Sequence, residues 1–134
     1  MVNTFQLEIV TPERELVKAQ VEEVQIPGKR GYLGILPGHA PLITELAVGE
    51  IVYRTGTTLH RLSCAWGFAE VLPERVTILA QAAELAETID VPRAERALSY
   101  GEELLRNADS PDEVERALSH LKRAETRLEV AKKS

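Results

Sequence analysis

The chain has 134 residues, a formal net charge of -5 and 44% hydrophobic residues, enough to build a buried core. That acidic balance argues against nucleic acid as the main ligand, because neutralising phosphates takes a broad basic surface. The single cysteine, Cys64, excludes an internal disulfide, and no Cys/His group has the spacing of a zinc site.

Composition divides the chain. Seven of the eight glycines and five of the seven prolines precede residue 87, and Ala, Leu, Glu and Arg dominate beyond it. The expected organisation is a β-domain over residues 1–86 and a helical unit over residues 87–134. The N-terminus enters strand-like sequence without a charged leader and apolar core, and no apolar run approaches the roughly 20 residues of a membrane span. A soluble chain in a reducing compartment is expected, meeting a membrane only through a partner.

In chain order, Phe5, Leu7 and Ile9 alternate with Gln6 and Glu8, the period of a half-buried strand. Residues 11–15 read as a turn, and residues 16–19 and 21–26 as strands. Glu22 and Glu23, adjacent on a strand, are expected to point to opposite faces. Gly28, Gly31 and Gly34 match neither the dinucleotide fingerprint nor the phosphate loop, and read as turn glycines. Residues 32–36 form a short strand and Pro37-Gly38 a tight turn. His39-Ala40-Pro41-Leu42-Ile43-Thr44 follows as an apolar loop, expected to pack on a partner unless part of it fills the core. Residues 48–54 and 57–65 pair about Thr55-Gly56, and residues 68–72 and 76–82 about Pro73-Glu74. Short strands with frequent turns predict a β-sandwich or flattened barrel.

From Asp90 the period becomes helical. Ala94, Ala97, Leu98, Gly101, Leu104, Leu105 and Ala108 recur at three- and four-residue steps and share one face. Asp90 or Val91 can cap the start, with Pro92 in the tolerant first turn. After a break at Asn107-Ala108-Asp109, Ser110-Pro111-Asp112-Glu113 is a full capping box. Val114, Ala117, Leu118, Leu121, Ala124, Leu128 and Ala131 give the second helix its stripe. The fold class is therefore mainly β plus α: an N-terminal β-sandwich followed by a C-terminal antiparallel two-helix hairpin. Its Ala-rich seam buries little area per residue, so the hairpin depends on its surroundings. Gly101 marks either a close helix crossing or a weak point that lets the hairpin rearrange.

No residues suit catalysis or metal binding. His39 has no second ligand or triad partner nearby and reads as a hydrogen-bonded structural or interface histidine, while Cys64 reads as buried packing. Arg116, His120, Arg123 and Arg127, at steps of four, three and four, align along the second helix. An aligned set suits phosphates or an acidic surface.

Several segments together resemble the epsilon subunit of bacterial F-type ATP synthases. They are Ile9-Val10-Thr11-Pro12, Pro37-Gly38-His39-Ala40-Pro41-Leu42, Gly67-Phe68-Ala69-Glu70-Val71 and Val76-Thr77-Ile78-Leu79-Ala80. Ile89-Asp90-Val91-Pro92-Arg93-Ala94 is similar to a motif that binds ATP in some bacterial members. The resemblance implies a non-catalytic rotor component on the cytoplasmic face of the bacterial inner membrane. Its implied partners are the gamma subunit, the c-ring and, with the hairpin extended, the catalytic alpha/beta head, where the hairpin inhibits ATP hydrolysis. Tyr32, Leu36, His39 and Leu42 are then expected at the rotor interface. No cofactor is required, and ATP becomes a regulatory ligand of the folded hairpin, held by Glu84, Asp90, Arg93, Ala94, Arg116, Arg123 and Arg127. Tyr100 departs from the pattern, because ATP-binding relatives can present another Arg there. A structural rotor coupler without nucleotide-dependent regulation is the alternative.

Overall fold

The computed structural model describes residues 3–133; the outermost residues of both expected units lie outside that range. Seven strands precede two helices: β1 Phe5–Val10, β2 Glu15–Val21, β3 Glu23–Gly28, β4 Gly31–Ile35, β5 Leu42–Thr55, β6 Thr58–Val71, β7 Arg75–Leu85, α1 Val91–Arg106 and α2 Pro111–Lys132. The sheet order is β2-β1-β7-β6-β5-β3-β4, with β1 parallel to β7 and every other neighbour antiparallel. The sheet closes over one core, in which Leu7, Ile9, Ile26, Ile51, Leu62 and Ile78 are fully buried. This is the expected sandwich followed by a helical pair.

Two strand readings need correction. Residues 57–65 and 68–72 are not separate strands but one strand, β6, shared by both hairpins. Leu42, Ile43 and Thr44 open β5 instead of extending the loop. The cause is a change of face within the long strands. Core residues run Leu42, Leu46, then Ile51, Tyr53 on β5; Leu62, Cys64, then Ala69, Val71 on β6; Val76, Ile78, Ala80, then Ala83, Leu85 on β7.

All three strands switch at one level, between the pairs Leu46↔Gly67↔Ala80 and Val48↔Ala65↔Ala82. Trp66 sits at that level with φ of 62°, followed by Gly67 at 131°. A Cβ at Gly67 would run into the Leu79 carbonyl oxygen, so only glycine fits. Broken alternation thus marks a fold line, not a strand end. The expected divergence of Glu22 and Glu23 also fails: Glu22 lies at the bend before β3, and Arg54 comes within 3.9 Å of one carboxylate and 3.8 Å of the other.

The helix starts follow the sequence. The Asp90 carboxylate accepts from the Arg93 N–H at 3.1 Å, and the Ser110 hydroxyl accepts from Glu113 N–H at 3.2 Å. The reciprocal arm of the capping box is displaced, with the Glu113 carboxylate accepting from Asp109 N–H at 2.7 Å. At Gly101 an added Cβ would lie 3.1 Å from the Leu121 side chain, so a close helix crossing is present there. Ala94, Ala117 and Ala124 are buried in the hairpin. The stripe is nonetheless incomplete. Leu105, Val114 and Leu118 are exposed near the tip, and Ala108 falls beyond α1.

Candidate functional site

Above the fold line α2 packs on β5 and β6, and Val48 and Ala65 are buried although neither belongs to the central core. A small cluster of Ala86, Ile89 and Val130, with Ala131 against it, joins the end of α2 to the segment leaving the sheet. Beside this contact lies a cleft of about 330 Å³, bordered by Glu84 of β7, Arg93 of α1, and Arg123 and Arg127 of α2. Both architectures therefore build it.

Arg127 holds Glu84 with two bonds, Nε to Oε1 at 2.6 Å and Nη2 to Oε2 at 3.3 Å. Such a fork fixes the guanidinium plane. Arg93 and Arg123 border the same space and have no ion pair among the described residues. Three guanidiniums face two carboxylates, Glu84 and Glu13, so the lining is cationic. Ser63, Thr126 and Gln81 add polar groups, although the Thr126 hydroxyl already donates to the Lys122 carbonyl at 2.8 Å. Cys64 also borders the cleft, and burial pushes its thiol pKa from 9.0 up to about 12, so it stays protonated and unreactive.

The structure thus brings together Glu84, Arg93, Arg123 and Arg127 of the residues singled out in the sequence. Asp90 caps α1 and Ala94 is buried one residue after Arg93, and neither borders the cleft. Arg116 is not brought in. It lies three turns before Arg127, roughly 16 Å along the helix, and is exposed outside the cleft. Tyr100 also points elsewhere, packing edge-on to His120 with ring centroids 5.6 Å apart.

The second region lies at the other end of the sheet. Gly38 N–H donates to the Pro73 carbonyl at 2.8 Å, tying the loop after β4 to the β6–β7 turn. Leu36 is exposed, while Leu42 packs against the core and the His39 ring lies 2.7 Å from the Ala40 carbonyl through Nδ1. Tyr32 is exposed yet anchored, its hydroxyl accepting from Glu50 N–H at 3.0 Å. Next to this loop the outer face of the sheet exposes Ile43, Trp66, Phe68 and Leu79. Phe68 pairs directly with Leu79, and both border an apolar hollow with Trp66 and Pro12. Sequence reasoning missed this patch because the change of face was hidden. The available signal was that Trp66, Phe68, Ile43 and Leu79 are large apolar residues at positions opposite in parity to the core set.

The comparisons divide the chain in the same manner as its architecture. The family model described as "ATP synthase, Delta/Epsilon chain, beta-sandwich domain" matches residues 4–86, and "ATP synthase, Delta/Epsilon chain, long alpha-helix domain" matches residues 87–132. The chain belongs to the epsilon chains of ATP synthase. Its relatives include the ATP synthase epsilon chains of Solibacter usitatus, 48% identical with 99% of each chain covered, and of Syntrophobacter fumaroxidans, 46% identical with 100% of each covered. The epsilon chain of Koribacter versatilis is 58% identical over 81% of this chain and 76% of its own. Among solved structures, a chain of the Euglena gracilis mitochondrial ATP synthase (OSCP/F1/c-ring) has a TM-score of 0.83 at 23% identity, covering 98% of this chain and 82% of that one. At that identity the likeness speaks for the fold. As a family member the chain is a non-catalytic subunit of ATP synthase. Among the described residues no helix is long and apolar enough to cross a membrane, and no group of His, Cys, Asp and Glu could hold a metal ion.

Proposed function

We propose that this epsilon-family chain works as a central-stalk coupling subunit of a bacterial F-type ATP synthase at the inner membrane, with a nucleotide-sensitive helical hairpin that restrains ATP hydrolysis. The observation that carries the regulatory part is the convergence of Arg93, Arg123 and Arg127 on one cleft built from the sheet and both helices. A polyphosphate held there contacts α1, α2 and β7 at once, which only the docked hairpin permits. ATP therefore favours the docked form in proportion to its differential affinity for it. Lifting the hairpin frees α2 to reach the catalytic alpha/beta head. Asp90, three residues before Arg93, offers the adenine amino group the carboxylate oxygen not used in capping.

The coupling part rests on the opposite end of the sheet. Leu36, with Tyr32, Ile43, Trp66, Phe68 and Leu79, offers an apolar surface of the kind that marks protein contacts. The gamma subunit is assigned to the sheet face, and the c-ring to the loop around His39. Trp66 supports this reading, since a bulky residue at φ of 62° is strained and such strain concentrates at functional sites.

Calorimetric titration of the isolated chain with ATP tests the regulatory reading. Asp90→Ala and Arg127→Ala should each weaken binding about tenfold or more, at roughly 1.5–3 kcal/mol per hydrogen bond to a charged group. An absence of binding at millimolar ATP overturns the nucleotide assignment and leaves a structural coupler.

A further inference from the structure

We propose that Glu50 and Lys133 form a second clasp between sheet and hairpin, separate from the Glu84–Arg127 pair, and that this clasp is the first contact to open when the hairpin lifts. The inference rests on the reading that the hairpin can leave the sheet. Glu50 lies on β5, and its side chain is only 16% exposed. Its Oε1 accepts from Arg61 Nη1 at 3.2 Å and from Lys133 Nζ at 3.3 Å. Its Oε2 is shut off from solvent and has no hydrogen-bond partner among the described residues. Arg61 is on β6, so its contact is internal to the sheet and persists when the helix moves. Lys133 is the cap of α2, so its contact does not persist.

Among the described residues, Glu84–Arg127 and Glu50–Lys133 are the two ion pairs joining the hairpin to the sheet. They stand six residues apart on α2, roughly 9 Å, with Val130 of the apolar cluster between them. Their strengths differ for physical reasons. Arg127 binds through a two-bond fork and its side chain is 20% exposed, whereas Lys133 makes one bond from a flexible stem that is 50% exposed. A single exposed contact at a helix end is the easier to break. The partly desolvated Glu50 keeps it specific, because Arg61 holds the carboxylate in place and one oxygen serves both cations. A phosphate ligand in the cleft engages Arg127 and leaves Glu50 untouched, so this clasp adds to the Glu84–Arg127 pair without depending on nucleotide.

Hydrogen exchange on the full chain, without nucleotide and at low and high salt, tests the proposal. K133Q should speed exchange of the amides in the last two turns of α2 about threefold, while Leu62 and Ile78 in the sheet keep their rates. K133R should restore protection, and the wild type at high salt should approach K133Q. Glu50→Gln should give the same local effect from the sheet side. Unchanged α2 exchange in K133Q at low salt, or K133R behaving like K133Q, overturns the clasp. These readouts need no ATP, so a chain that fails to bind nucleotide yet shows them loses the nucleotide reading and keeps the clasp.

Discussion

The sheet and the hairpin belong to one chain but are held by different kinds of contact. The sheet buries whole large side chains, with Phe5, Leu7, Ile9, Ile26, Ile51, Leu62 and Ile78 almost entirely removed from water. The hairpin buries mainly Ala94, Gly101, Ala117 and Ala124, and leaves Leu105, Val114 and Leu118 exposed at its tip. At roughly 25 cal/mol per Å² of apolar area, a methyl group contributes far less than an isoleucine side chain. The difference teaches that the sheet is held by large buried side chains, whereas the hairpin rests on small-residue contacts, a short apolar cluster and two ion pairs.

The largest effect should come from the sheet. Ile78→Ala should lower global stability by about 2–5 kcal/mol, read by urea unfolding. Val130→Ala, although Val130 is just as buried, should remove roughly 1–2 kcal/mol and chiefly loosen the end of α2. Equal global losses would break the contrast, because they would make the hairpin an integral part of the sheet core.

A smaller and more local effect is expected at Gly101. A Cβ there already stands 3.1 Å from Leu121, so Gly101→Leu should force α1 and α2 apart at a cost of about 1–3 kcal/mol. Heteronuclear NMR should report shifts throughout both helices and unchanged sheet resonances. If the sheet resonances moved equally, the two regions would not be separable in the way their burial indicates.

These contrasts also explain how much the sequence revealed. The change from turn-rich to Ala-rich composition disclosed two architectures, and local chemistry found both helix caps, since capping depends on residues within one turn. The strand boundaries at Leu42 and around Trp66 were not legible. There the alternation changes face across three strands at once, and that event depends on cross-strand registry, not on neighbours in sequence. The cleft was partly legible for the same reason. Arg123 and Arg127 declared themselves by helical spacing, whereas the exclusion of Arg116 depends on where the helix crosses the sheet. The ion pair Glu50–Lys133 spans 83 positions and had no local signal.

The effect that is smallest at neutral pH sharpens the comparison as pH rises. Burial holds the Cys64 thiol pKa near 12 in the folded chain, against 9.0 for an ordinary thiol. Between those values the unfolded state has released its proton and the folded state has not, so unfolding liberates a proton and stability falls as pH rises. Its contribution is fully present below about pH 9 and declines by up to about 1.4 kcal/mol per pH unit above it. Urea midpoints between neutral and alkaline pH should therefore fall more steeply for the wild type than for Cys64→Ala, with Tyr53, whose pKa is also raised chiefly by burial and further by Glu87, common to both. Because Cys64 belongs to the central cluster of sheet residues, the extra slope should survive in Gly101→Leu. Loss of that slope on loosening the hairpin would mean that α2, and not the sheet, keeps the thiol dry, and the line between sheet core and helical cover would have to be drawn one layer deeper.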